Sequence, residues 1–79
     1  MEEIFIIYGI TDCPSCIRAC ADLMERGIEY VFVQADFSKA YRIAITQALH
    51  WPTFPIVIRV LGEEESLIGG YDELSLLLK

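Results

Sequence analysis

Cys13 and Cys16 stand three positions apart in the stretch YGITDCPSCIRAC, residues 8–20, and Cys20 follows four positions later. Thiols at that first spacing can share a metal ion, close a structural staple or cycle between dithiol and disulfide. A structural zinc site wants four ligands, usually two such pairs or one pair with two histidines, and this chain adds only Cys20 and His50 to its single pair. No metal site is assigned on that ligand count. The total of three cysteines also leaves one over from any secreted-type disulfide framework. Redox chemistry uses the pair as it stands. The nucleophile is the thiolate, and a free cysteine with a pKa of about 8.5 is mostly protonated at neutral pH. A helix N-terminus corrects this, because its unpaired N–H groups and positive dipole end stabilise a sulfur anion. Cys13 in that place is the candidate nucleophile, and Cys16, one turn on, the thiol that resolves the mixed disulfide. The strand-to-helix junction is expected to expose Cys13, whereas Cys20 reads as a small buried hydrophobe.

The flanking segments must build that junction. EIFIIY is a continuous apolar run bounded by Gly9, as in a central strand covered on both faces. From Cys13 to Arg26, the apolar positions Cys16, Ile17, Cys20, Leu23 and Met24 recur at helical spacing. Thr11 or Asp12 is expected as the cap, with Pro14 in the first turn and Gly27 as the stop. IEYVFVQ reads as a second strand, and Ser38 offers an N-cap to a second helix that ends before Pro52. IVIRVL is a strand, Gly62 with Glu63, Glu64 and Glu65 a turn, SLI a short strand and YDELSLLLK a closing helix. The order is β-α-β-α-β-β-α. The βαβ unit demands a parallel pair and the short final link a hairpin, so the fold class is α/β with a mixed four-stranded sheet flanked by three helices.

With 79 residues, the chain has room for one domain, residues 1–79, and one core. An apolar fraction of 54% excludes a disordered tail. The net charge of −6, with six basic residues scattered along the chain, disfavours a nucleic-acid partner. No span is long and apolar enough for a membrane, and MEEIFIIYG carries acids where a secretory signal would carry basic residues. A soluble, cytoplasmic protein is expected.

CPSC between the first strand and first helix, TFP before the third strand, and GGYDEL opening the last helix together resemble the glutaredoxin family, in the family's order and over nearly the whole chain. The resemblance implies a thioredoxin-like fold in its minimal form, with Pro55 as a cis proline against the thiol pair. It implies a glutathione-dependent thiol-disulfide oxidoreductase that reduces protein disulfides and glutathione mixed disulfides through Cys13 and Cys16. Glutathione is then a co-substrate, with no tightly bound cofactor. Thr53 and Phe54 are expected to pair with its cysteinyl backbone beside Pro55, and Gly70 and Asp72 to hold its γ-glutamyl end. Arg42 or Gln47 is the candidate for its glycyl carboxylate. Partners would be disulfide-containing or glutathionylated proteins, ribonucleotide reductase among them, and a monomer is expected.

Two other readings carry weight. Trp51 with Pro52 is similar to the single-cysteine members, in which Cys13 and glutathione from each of two chains would ligate a [2Fe-2S] cluster, although Pro14 is expected to hinder its assembly. A thioredoxin-like donor to ribonucleotide reductase, served by thioredoxin reductase, is the other; GGYD argues for glutathione instead. The chain also departs from the family pattern. Ile10 stands where a Lys or Arg is usual and Asp12 directly precedes the thiol, both of which disfavour a thiolate. Ser15 replaces the common tyrosine, removing a ring that would wall the site. The stretch from Pro55 to Gly69 is longer than usual, which suggests an extended hairpin with an acidic turn.

Overall fold

A computed structural model of the chain describes residues 2–79. Its elements are β1 (Glu3–Gly9), α1 (Pro14–Glu25), β2 (Glu29–Gln34), a single 3₁₀ turn (Ala35–Phe37), α2 (Lys39–Leu49), β3 (Ile56–Leu61), β4 (Glu64–Gly69) and α3 (Tyr71–Leu77). The strand order is β2-β1-β3-β4. β1 runs parallel to β2, with Ile6 opposite Val31, and antiparallel to β3, with Ile6 opposite Ile58. β4 returns antiparallel to β3. The mixed sheet and element order follow the expectation, and β1 takes an interior position.

The core lies on one face of the sheet. Phe5 and Ile7 of β1 and Val57 of β3 meet Ala19 and Leu23 of α1 and Leu74 of α3. Each is essentially inaccessible, so truncating Leu23 or Leu74 to alanine costs about 2–5 kcal/mol. β1 is not covered on both faces as its apolar run suggested. Ile4, Ile6 and Tyr8 stay half-buried, because α2 contributes no fully buried residue while α1 and α3 seal the other side. The stripe on α1 is also narrower than expected. Cys16, Ala19 and Leu23 are buried, with Cys20 at the edge, but Ile17 and Met24 are 69% and 66% exposed. Their spacing put them in the helical pattern, yet they lie beyond the arc that faces the sheet.

Local signals set several boundaries. Ser38 Oγ accepts the Tyr41 N–H at 3.2 Å and starts α2, which stops at His50 in the left-handed region. The acidic hairpin is tighter than its sequence suggested. Leu61 pairs with Glu64, so the loop holds only Gly62 and Glu63, and Glu64 and Glu65 belong to β4. Gly62 at φ 63° supplies the positive φ that a two-residue loop requires at its first position. Both strand glutamates are exposed, so extending the ladder through them desolvates no charge. Among the described residues, no helix is long and apolar enough to cross a membrane.

Candidate redox site

The chain turns sharply at the end of β1. Gly9 is required there because a Cβ would lie 2.5 Å from the Phe32 ring and 3.2 Å from the Cys16 Cβ. Asp12 takes a left-handed conformation, φ 55°, and Cys13 returns to extended geometry, φ −116° and ψ 96°. The cap of α1 is therefore Cys13 itself, and neither Thr11 nor Asp12 as expected. Cys13 Sγ accepts the Cys16 N–H at 3.2 Å, and Pro14 fills the first helical position, where no N–H is needed. Thr11 is engaged elsewhere. Its N–H donates to Asp36 Oδ2 at 2.9 Å and its hydroxyl accepts from Gln34 Nε2 at 3.2 Å, so the loop is tied to the end of β2. The Thr11 amide holds the Asp36 carboxyl below the usual carboxylate range.

Cys13 and Cys16 are joined as a disulfide, with Cα atoms 5.2 Å apart. Cys13 is not exposed in the way the junction suggested. It retains 8% exposure against 1% for Cys16, because the Phe54 segment lies over it. It is still the accessible member of the pair, and Cys16, facing the core, is the member that a substrate cannot reach first. Its sulfur lies 3.5 Å from Ser15 Oγ and 3.8 Å from the Phe54 carbonyl oxygen. Cys20 is half-buried against the core and keeps a free thiol, whose pKa burial pushes up.

Beside the pair runs an open groove of about 380 Å³. Thr53, Phe54 and Pro55 form one wall, with the Phe54–Pro55 peptide cis, and Gly70 and Asp72 form the other. The structure thus brings together five residues that motif resemblance alone had grouped. Ser15, Trp51, Tyr71 and Glu73 line the groove with them. The tryptophan packs on the double glycine. A Cβ at Gly69 would lie 3.0 Å from Trp51 Cη2 and 2.8 Å from Glu73 Cγ, and Gly69 has φ 128°. Trp51 Nε1 is buried and has no hydrogen-bond partner among the described residues.

Glu73 and Tyr71 set the far wall. Glu73 Oε1 accepts the Gly70 N–H at 2.9 Å, half of a capping box, since glycine has no side chain to complete it. A glutamate three residues after a cap position is the sequence signal for this contact. Tyr71 donates its hydroxyl to Asp22 Oδ2 at 2.7 Å, which ties α3 to α1 and, with burial, holds the phenol above its ordinary range. Nothing local in the sequence pairs Tyr71 with a residue 49 positions away.

Arg42 and Gln47 do not line this groove. Arg42 lies over the Phe54 ring, 5.5 Å from its centroid, and borders a separate cleft with Lys39 and Thr46. Gln47 lines another hollow with His50, Trp51 and Pro52. Each adjoins the groove only through a lining residue, Arg42 through Phe54 and Gln47 through the Trp51 that both hollows share.

A family model described as glutaredoxin matches residues 5–63. Among solved structures, the chain is similar to the glutaredoxin from Brucella melitensis, with 27% identity, 92% of this chain and 75% of that chain covered, and a TM-score of 0.69. It is similar to buckwheat glutaredoxin in complex with glutathione, at 25% identity, 87% and 62% coverage, and a TM-score of 0.69. Glutaredoxin 1 from Francisella tularensis, complexed with cacodylate, shares the fold at 23% identity, 94% and 90% coverage, and a TM-score of 0.69. No curated protein matches the sequence significantly.

Proposed function

Because the chain belongs to the glutaredoxin family, whose model spans residues 5–63, we propose that its thiol-disulfide oxidoreductase chemistry is driven by glutathione. The observation that carries this reading is the placement of the Cys13 sulfur at the cap of α1, bordered by the Phe54 carbonyl of the groove wall. The reduced pair starts the cycle. The Cys13 thiolate attacks a protein disulfide or a glutathione mixed disulfide; the new S–S bond forms at Cys13 as the old one breaks, and the departing sulfur leaves as a thiolate that takes a proton. With a protein disulfide, Cys16 then attacks Cys13, releases the second substrate thiol and leaves the Cys13–Cys16 disulfide. Two glutathiones return it to the dithiol in turn, by way of a Cys13–glutathione mixed disulfide, and are oxidised to glutathione disulfide.

In this reading, glutathione lies along Thr53 and Phe54 as one more extended strand, with Pro55 at its back. Its γ-glutamyl end reaches Gly70 and Asp72, whose carboxylate accepts from the ammonium group. Arg42, beside Phe54, is the cation of the two candidates and takes the glycyl carboxylate. The glutathione bound in the buckwheat neighbour supports a tripeptide co-substrate. A monomer in a reducing compartment such as the cytoplasm suits a donor that must return to the dithiol state.

Stopped-flow reduction of the oxidised protein separates the reductants. Reduction by millimolar glutathione and inertness toward thioredoxin reductase with NADPH is the expected result. The opposite pattern would assign the chain to thioredoxin-like donors.

A further inference from the structure

We propose that the Ser15 hydroxyl is a thiolate-stabilising group for Cys13, taking in this chain the part that a nearby cation would otherwise play. The proposal rests on the thiol-disulfide reading above. Ser15 is the second residue of α1 and lines the groove, and its Oγ lies 3.5 Å from Cys13 Sγ. A hydroxyl rotates freely, so it donates to an anion as readily as it accepts from a thiol.

Three polar neighbours surround the sulfur and they pull in different directions. The Phe54 carbonyl, 3.8 Å away, can only accept, so it favours the protonated thiol. The Cys16 amide at 3.2 Å can only donate, so it favours the anion. Ser15 decides the balance. Among the described residues, no lysine or arginine nitrogen is hydrogen-bonded to this sulfur, and residue 10, where a cation would help, is isoleucine.

The surrounding charges do not substitute for it. Asp12 precedes the thiol in its own loop, and Asp36 holds Thr11 from the 3₁₀ turn. Asp72, Glu73 and Tyr71 line the groove from α3. Arg18 of α1 sits 5.8 Å from the centre of the Tyr71 ring, and Arg42 of α2 lies over Phe54. The groove-side carboxylates oppose a thiolate, and neither guanidinium is hydrogen-bonded to the sulfur.

The test compares the reduced wild type with Ser15→Ala and Ser15→Thr, measuring iodoacetamide alkylation of Cys13 by site-resolved mass spectrometry across pH. A lost charge-assisted hydrogen bond raises the Cys13 pKa by about one unit in Ser15→Ala. Below both pKa values the thiolate fraction falls about tenfold while each thiolate becomes about threefold more nucleophilic, so the rate falls about threefold. Above both values the variant reacts about threefold faster. That crossing of the two profiles is the signature, and a merely structural role would not produce it. Ser15→Thr, which keeps a hydroxyl, is expected to follow the wild type.

Superimposed profiles for Ser15→Ala and wild type would overturn the proposal, as would a Ser15→Thr profile shifted as far as that of Ser15→Ala. In either case, wild-type Cys13 that outpaces Cys20 leaves the redox reading intact. Wild-type Cys13 that alkylates no faster than Cys20 would overturn both.

Discussion

The Cys16 amide points at the sulfur of Cys13 from 3.2 Å, so the residue that resolves the mixed disulfide also supplies a stabilising contact to the residue that attacks. One turn of helix thereby fixes both roles. Cys13 keeps the residual exposure and Cys16 is sealed against the core.

Cys13→Ser is expected to lower both disulfide reduction and deglutathionylation by about 10³-fold or more, since no other thiol is placed to attack. Cys16→Ser is expected to keep deglutathionylation, which needs one thiol, and lose the reduction of protein disulfides. Coupled assays with glutathione reductase read both. Retained activity in Cys13→Ser, or equal losses in the two variants, would contradict the roles.

Gly69→Ala is expected to destabilise the fold by about 1–3 kcal/mol, because it combines a positive-φ position with overpacking. The added Cβ meets Trp51 and Glu73 at 3.0 and 2.8 Å in a conformation of φ 128°. Denaturant midpoints measure the loss. Weaker binding of glutathione should accompany it, as the Trp51 ring moves off the double glycine that walls the groove.

Acid should loosen the tie between the active-site loop and the 3₁₀ turn. The Thr11 N–H depresses the Asp36 pKa in the folded state, so this contribution is fully present above the unfolded value of about 3.9 and is lost as pH falls through the lower folded value. The difference in melting temperature between wild type and Asp36→Ala is therefore expected to be constant near neutrality and to shrink in that acid window. A difference that grows on acidification would reverse the sign and contradict the assignment.

What could be read in the sequence was mostly local. Ser38, IVIRVL and the βαβ order declare themselves because a cap, a β-branched apolar run or a connection length is decided within a few residues. Apart from the Glu73 contact to the Gly70 amide and the tight Gly62–Glu63 loop, the misread features depend on distant partners. Ile17 and Met24 fit a helical stripe, but the sheet behind α1 covers only the arc of Cys16, Ala19 and Leu23. Thr11 looked like a cap until Asp36 engaged its amide, which left the sulfur of Cys13 to do the capping. Thr53, Phe54, Pro55, Gly70 and Asp72 converge because β3 and β4 return the chain to the start of α1, whereas Arg42 and Gln47, on successive turns of α2, face other hollows.

The most direct test traps the attack itself. Cys16→Ser protein incubated with glutathione disulfide is expected to gain one glutathione, mapped by peptide mass to Cys13 and removed again by free glutathione. Cys20, whose thiol burial holds above the ordinary range, is expected to stay unmodified at neutral pH. An adduct on Cys20 with Cys13 still free, or no adduct at all, would contradict the account.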